Sequence, residues 1–386
     1  MLVKKSTRRR TCNVETRYGM MTVFSDDTIC SRALIEYGEW AYYELTLLDG
    51  IIADDAVVFD VGAYIGTHAR GLAKGRRSVY SFEPNLDAFQ ILQENIELYH
   101  RRGITAINAA CGETVGKIAV EIQGDNSAGN YGNFVIREGL GEACGVLERT
   151  SLEEIPLTTI DAFVAEERIS RCDLIKIDVE GMEAKVLRGA RETLVRFRPV
   201  VYAECNCLEG GVPALLYMRE LGYQAIACSA LAFHEGNWRG NSHNMFGGAR
   251  EVSILFAWGG TEGVPEASGG IEMFLVESID ELAACLFAKP QYYTEYLAGT
   301  ALGVYLAEKL VEGEAGPARL VDALRAREND VEVLRDSVQR LSDELTTVKE
   351  AHQDVGGVET NGALSHVQRC MRGAKAFVRS RQKRKN

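Results

Sequence analysis

Ten residues constrain the fold of this chain more than any other stretch: Val57-Val58-Phe59-Asp60-Val61-Gly62-Ala63-Tyr64-Ile65-Gly66. A short run of β-branched and aromatic residues that stops at a glycine reads as a buried strand. Gly62 and Gly66 then predict a tight turn, because glycine takes positive φ and lets a ligand approach the backbone. A helix starting near Gly66 would aim its free N–H groups and its dipole at that turn. A second strand, Ser78-Val79-Tyr80-Ser81-Phe82-Glu83, ends in an acid 23 positions after Asp60. In nucleotide-binding α/β folds an acid at about that distance receives ribose hydroxyls.

The segments around this unit keep alternating. Residues 18–24 predict a strand, 31–48 a helical region, 66–74 and 86–99 helices, and 104–110 a third core strand. Residues 115–122 and 133–137 suggest a β-hairpin across a glycine-rich loop, and 138–155 carry no clear pattern. A helix opens at Thr158-Thr159-Ile160-Asp161 and runs to about Glu167. Strands follow at 173–178 and 199–204, helices to about Arg196 and over 212–221, then strands near 223–228 and 252–257. Strands alternating with helices predict an α/β fold with a doubly wound, mostly parallel, seven-stranded sheet. Ligands bind such sheets at the carboxyl ends of the strands. Asp60, Glu83, Asp178 and Glu204 each stand at such an end, where core packing does not account for carboxylates.

The pattern D-x-G-x-x-x-G has one glycine fewer than the dinucleotide fingerprint, which speaks against a nicotinamide-dependent oxidoreductase. It resembles motif I of the S-adenosylmethionine (SAM) methyltransferases. The block Ile175-Lys176-Ile177-Asp178-Val179-Glu180-Gly181-Met182-Glu183, with Val186-Leu187 and Gly189-Ala190, looks like the signature of the FkbM family of these enzymes. Tyr37-Gly38-Glu39-Trp40, Ser81-Phe82-Glu83-Pro84-Asn85, Asn108-Ala109-Ala110 and Thr158-Thr159-Ile160-Asp161 match that family in order, so the resemblance covers about residues 18–258. It implies a class I, Rossmann-like methyltransferase fold, SAM as cofactor, and O-methylation of a hydroxyl on a saccharide or glycan-linked acceptor. Carried over by motif, Asp60, Gly62, Tyr64, Gly66, Glu83, Asn108, Ala109 and Asp178 would bind the cofactor.

Methyl transfer to a hydroxyl needs a base. His243, in Gly240-Asn241-Ser242-His243-Asn244, lies where the family places a segment near the substrate and is the first candidate, with Asp178 and Glu204 behind it. Glu180, Trp238, Asn241 and Asn244 are expected to shape the acceptor pocket. Glu180 and Glu183 also sit where acids favour a helix dipole. His68 falls in the helix after the glycine turn. Cys205-Asn206-Cys207 is the one close cysteine pair, a poor zinc signature, and no metal is expected.

Charge divides the chain. Residues 1–10 hold five basic and no acidic side chains, and residues 367–386 hold eight basic and none acidic, although the net charge is −12. The acidic body argues against nucleic acid as a partner. Scattered cysteines, no run of 18 apolar residues and no apolar stretch behind the basic start suggest a cytoplasmic protein. Leu324, Val331, Val338 and Leu345 fall seven apart, with Leu334, Leu341 and Val348 between them and Arg327 interrupting the seam. Such spacing predicts a coiled coil and a homodimer. The expected organisation is a basic tail (1–17), the methyltransferase-like domain (18–258), a linker (259–270), a helical segment (271–312), a coiled coil (317–354) and a basic tail (355–386). Phe377 and Val378 among the last basic residues could hold an anionic membrane weakly. A second reading is a scaffold that binds SAM weakly and recruits glycan-assembly partners through the coiled coil.

Overall fold

The computed structural model describes residues 10–97, 103–122, 151–179, 181–260, 264 and 269–287. The expected coiled coil, the basic C-terminal tail, the strand at 133–137 and Glu180 lie outside them. The chain opens with β1 (Thr11–Thr16) and β2 (Gly19–Phe24), followed by α1 (Cys30–Tyr37) and α2 (Tyr42–Ile51). Next come β3 (Val57–Val61), α3 (Thr67–Leu72), β4 (Ser78–Phe82), α4 (Leu86–Glu97) and β5 (Ile104–Ile107). Then β6 (Ala110–Cys111), β7 (Gly116–Ile122), β8 (Ser151–Thr158) and α5 (Ile160–Glu166) precede β9 (Leu174–Ile177). The described chain finishes with α6 (Glu183–Arg188), α7 (Arg191–Phe197), β10 (Val200–Glu204), α8 (Leu208–Glu220), β11 (Tyr223–Leu231), β12 (Arg250–Trp258), β13 (Ile271–Val276) and α9 (Ile279–Phe287).

The main sheet runs β13-β11-β12-β10-β9-β3-β4-β5. Strands β5, β4, β3, β9 and β10 are parallel, and β12 is antiparallel to both of its neighbours. Apart from β13, this is the strand order of a class I methyltransferase-like α/β fold. Chain order reverses at β3, which sits between β4 and β9, so the carboxyl ends of β3 and β9 splay and leave a crevice. Val58, Phe59, Leu174, Ile175, Ile177, Val201, Leu255 and Phe256 are all fully buried. Burying one such side chain contributes about 1.5–3 kcal/mol, enough to fix the sheet in place beneath the crevice.

Three boundaries differ from the sequence expectation. The N-terminal stretch to residue 17 is not all tail: Thr11–Thr16 pairs with β2 because its residues alternate exposed and covered. That hairpin is tied to the domain by Asn95, whose Oδ1 accepts from the Thr22 amide at 2.7 Å and whose Nδ2 donates to the Thr22 and Ile65 carbonyls. The partner of β7 is β8, not 133–137, so the strand falls in the stretch that carried no clear pattern. Residues 271–312 do not begin as helix. Ile271–Val276 is an apolar strand that pairs with β11 and gives the sheet eight strands rather than seven. Helix α9 follows, started by Ser278, whose Oγ accepts from the Glu281 amide at 3.1 Å while Glu281 accepts from the Ser278 amide. This reciprocal cap satisfies two amides that the first turn leaves free. Among the described residues no helix is long and apolar enough to cross a membrane.

Candidate active site

A cavity of about 420 Å³ opens over the carboxyl ends of β3, β4, β9 and β10. Its floor is the glycine turn. Gly62 has φ +82°, and a Cβ there would lie 1.8 Å from the Asp178 carbonyl oxygen. No side chain fits at this position, so the turn lies directly against the backbone at the end of β9. The amides of Gly62 and Ala63 both donate to the Phe82 carbonyl at 3.0 Å, which locks the turn to β4. Gly66 has φ +90° and lies against Leu92, where a Cβ would stand 2.6 Å from Cδ1. Tyr64 is held at φ 51° between them, its hydroxyl donating to Asp27.

Glu83 stands over this turn, 6% exposed. One carboxylate oxygen accepts from the Tyr64 amide at 2.8 Å and the other from the Asn85 amide at 2.7 Å. Each oxygen keeps a further lone-pair site for a ligand hydroxyl. Burial pushes the Glu83 carboxyl up to about 7, against the pull of those two amides. Asn108 does not line the cavity; its Nδ2 donates to the Glu83 carbonyl at 2.8 Å and so fixes the end of β4. Ala109, Ala110, Cys111, Pro84 and Met182 form an apolar wall beside it.

Lys176 organises the centre. Its ammonium lies 3.3 Å from Asp60 Oδ1 and 3.3 Å from Asp178 Oδ2, and it donates to the Gly62 carbonyl at 3.0 Å. Asp60 is fully buried beneath the floor and does not line the cavity. Its carboxylate is paired with Lys176 beneath the floor rather than presented to the cavity. Asp178 does line the cavity, and Lys176 and a hydrogen bond with Glu204 outweigh burial to hold its carboxyl below the usual carboxylate range. Glu204 lines the same wall.

The far wall consists of side chains from separate elements. Glu44 of α2 and His68 of α3 are both buried, with Nε2 of His68 3.5 Å from Glu44 Oε2. Tyr202 and Glu204 are two residues apart on β10, on the same face of the strand. Ser253 and Glu251 of β12 complete the wall. Among the described residues, Nε2 of His68 has only its long approach to Glu44, and the Tyr202 hydroxyl stands near Ser253 and Glu44 without a well-formed hydrogen bond.

The segment chosen from the sequence for the acceptor is elsewhere. His243 is exposed and does not line the cavity, and its backbone carbonyl accepts from the Tyr37 hydroxyl at 2.8 Å. Trp238 is 41% exposed. Asn241 donates to the Glu36 carbonyl and Asn244 to the Gly247 carbonyl, so both shape the segment itself. This strap packs Phe246 against Trp40 and Tyr37, and its anchor is Glu39, which accepts from Arg17, His234 and the Trp238 amide. It braces α1 from outside, and Trp40, which packs on Phe246, also lines the cavity. Glu183 is likewise structural, accepting from the Gly181 amide at 3.0 Å, and burial pushes its carboxyl up.

Sequence reasoning missed Glu44, Lys176, Tyr202, Ser253 and Glu251. Lys176 had a signal, a lone lysine between isoleucines in a buried strand, where a charge persists only if paired. Tyr202 had one too, two positions before Glu204. Glu44 lies in an apolar helix and gave no spacing to read. Among the described residues no group of three His, Cys, Asp or Glu side chains is placed to hold a metal ion.

Residues 60–225 match the methyltransferase FkbM domain model. The chain is 30% identical over 143 residues to the hexuronic acid methyltransferase AglP of Haloferax volcanii, an alignment covering 36% of this chain and 52% of that protein. It is 23% identical over 146 residues to methyltransferase 1 of Beauveria bassiana, covering 35% and 59%. The chain thus spans little more than half the length of the curated relatives it matches. The crystal structure of a methyltransferase FkbM from Methylobacillus flagellatus KT aligns over 56% of this chain and 48% of that one, at 19% identity and a TM-score of 0.36.

Proposed function

Starting from the FkbM methyltransferase domain that residues 60–225 form, we propose that this chain is a SAM-dependent O-methyltransferase acting on a saccharide or glycan-linked hydroxyl. The observation that carries the reading is the cavity in which a side-chain-free turn at Gly62 faces a buried Glu83. The residues fit the cofactor. Glu83 has room on both oxygens for ribose hydroxyls, and the Gly62–Tyr64 turn offers backbone to the methionine and sugar parts. The wall of Ala109, Ala110, Cys111 and Met182 suits a flat apolar-faced base, and Asp178 is an ionised partner for an amino group. When bound, SAM supplies an electrophilic methyl on a sulfonium, so no metal or added leaving-group chemistry has to be built by the protein.

What the chain must add is alignment and a proton acceptor. His68 takes the place that His243 held in the sequence reading. Its ring lines the cavity with Glu44 beside it, so a hydroxyl proton passed to the imidazole would leave a cation next to a carboxylate. Asp178 and Glu204, joined by their hydrogen bond, are positioned to hold the acceptor rather than to take its proton. The sugar-type acceptor is supported by the AglP relative, whose name places it on hexuronic acid.

Calorimetry with SAM and S-adenosylhomocysteine, on the native chain and on Glu83→Ala, with NADH as control, tests the cofactor assignment. Micromolar binding that the substitution abolishes is the expected result. A folded native chain that binds neither SAM nor S-adenosylhomocysteine would overturn the enzyme reading in favour of a scaffold.

A further inference from the structure

The turn that joins α1 to α2, Glu39-Trp40-Ala41, is pinned at each of its residues. The buried Glu39 carboxylate accepts from Arg17, His234 and the Trp238 amide. The Trp40 carbonyl accepts from the Tyr18 hydroxyl at 2.7 Å. Ala41 is left-handed at φ 54° although it carries a Cβ, and its carbonyl accepts from the Leu45 amide of α2 at 2.9 Å. Such a conformation costs about 1–3 kcal/mol and persists only where its surroundings over-determine it.

Trp40, at the centre of this turn, is half-buried and lines the cavity. It also lines a recess of about 20 Å³, which shares Trp40, Glu44 and Glu251 with the cavity and adds Tyr43 and Ala230. Trp40 therefore belongs with the far wall, four residues before the Glu44 whose carboxylate lies 3.5 Å from Nε2 of His68. Behind it lies the strap. Phe246 packs on Trp40 with ring centroids 5.4 Å apart and planes tilted by 50°. Phe246 is set in turn by Asn244, whose Oδ1 accepts from the Phe246 amide at 2.9 Å, and by Tyr37, whose hydroxyl accepts from the Met245 amide at 2.9 Å.

An aromatic ring beside carboxylates answers both halves of a sugar ring. A pyranose has a rim of hydroxyls and a face of C–H bonds. Carboxylates accept from the rim. The C–H face is apolar and calls for a flat apolar surface, which an indole provides at low entropic cost because it has two side-chain torsions to fix. An acyclic polyol has the hydroxyls without the face.

We propose that Trp40 is the platform on which the acceptor's sugar ring stacks, and that Phe246 is a positioning residue that holds the indole in place. The proposal rests on the methyltransferase reading and names how its acceptor is gripped. The strap reaches the acceptor through Trp40.

The test compares methyl β-glucoside with sorbitol, by saturation-transfer NMR on the full chain with and without S-adenosylhomocysteine. The glucoside should bind at least about threefold more tightly than sorbitol, and saturation of the protein's aromatic protons should pass most strongly to the axial protons of one ring face. Trp40→Leu should weaken glucoside binding about tenfold and abolish that transfer, with sorbitol and S-adenosylhomocysteine binding unchanged. Phe246→Leu should weaken the glucoside about threefold with S-adenosylhomocysteine again unchanged, and Phe246→Tyr, which keeps the ring, should restore it. Should Trp40→Leu fail to fold, the Phe246 pair and the native chain's preference decide. A glucoside that binds no better than sorbitol overturns the proposal. So does a Phe246→Leu chain that loses S-adenosylhomocysteine along with the glucoside, or a native chain that binds S-adenosylhomocysteine and neither polyol. If S-adenosylhomocysteine itself fails to bind the native chain, the methyltransferase reading falls, while the glucoside–sorbitol comparison and its loss in Trp40→Leu still decide whether Trp40 takes a sugar ring.

Discussion

The two walls of the cavity are built by different means. The wall at Gly62 and Glu83 comes from 24 consecutive positions, 60–83, and much of it is backbone: a turn without a side chain, amides that clamp a carboxylate, carbonyls that clamp an amide. The wall at Glu44 and Tyr202 comes from four elements spread between residues 44 and 253, and what it offers differs by side chain: carboxylates, an imidazole and hydroxyls. A backbone-made surface demands particular residues at particular spacings. A side-chain wall demands only that certain groups meet in space, so it can be rebuilt for another acceptor while its neighbour stays fixed.

That contrast can be tested by damaging each side in turn. Lys176→Met strands two carboxylates at the junction of the walls. Removing one partner of a buried ion pair costs about 3–5 kcal/mol, so urea unfolding should show the largest loss of stability here. The loss should shrink toward acid pH, where the Asp178 carboxyl, no longer held low by Lys176, takes up a proton. Gly62→Ala forces a Cβ against the Asp178 carbonyl at positive φ. About 3 kcal/mol of stability should go, and calorimetry should find S-adenosylhomocysteine binding lost even where the chain still folds.

A subtler cut is made with pH. The Glu83 carboxyl titrates near 7 in the folded chain, above its ordinary value. Its protonated form is therefore favoured by folding, so this group contributes stability below its ordinary range that is lost as pH rises through about 7. Ribose recognition runs the opposite way, because the carboxylate is the better acceptor. S-adenosylhomocysteine affinity should fall about tenfold between pH 8 and pH 6, and Glu83→Gln should flatten the profile. The smallest effect is expected outside both walls. His243→Ala should change stability by less than about 0.5 kcal/mol and leave S-adenosylhomocysteine affinity unchanged. A loss of binding in that variant would bring the strap back into the site.

The sequence made the first wall legible for a physical reason. Gly62, Gly66 and Glu83 are held in place by local covalent geometry, and their spacing in the chain is their spacing in space. Most of the parallel sheet was legible likewise, because strand and helix periodicities are local. The eighth strand was not: Ile271–Val276 is apolar enough for either element, and its pairing with β11 is a tertiary choice. His243 misled because a polar, glycine-bordered segment between two strands looks the same whether it faces a ligand or wraps a helix. The Phe246 and Met245 contacts that seat it on α1 come from residues over 200 positions from their partners.

Strand β13 bears on how this domain can be isolated. The family match ends at residue 225, inside β11. From Ala225 to Ala230, β11 is paired on its second side by Ile271–Val276. A fragment stopped at Trp258 would bare that row of amides and carbonyls along an apolar strand, a template for joining other chains edge to edge. One trimmed to the family boundary would lose β12 and most of β11 and bare β10 instead. Expression trials of this domain should therefore carry the chain through Phe287, where α9 closes over the added strand.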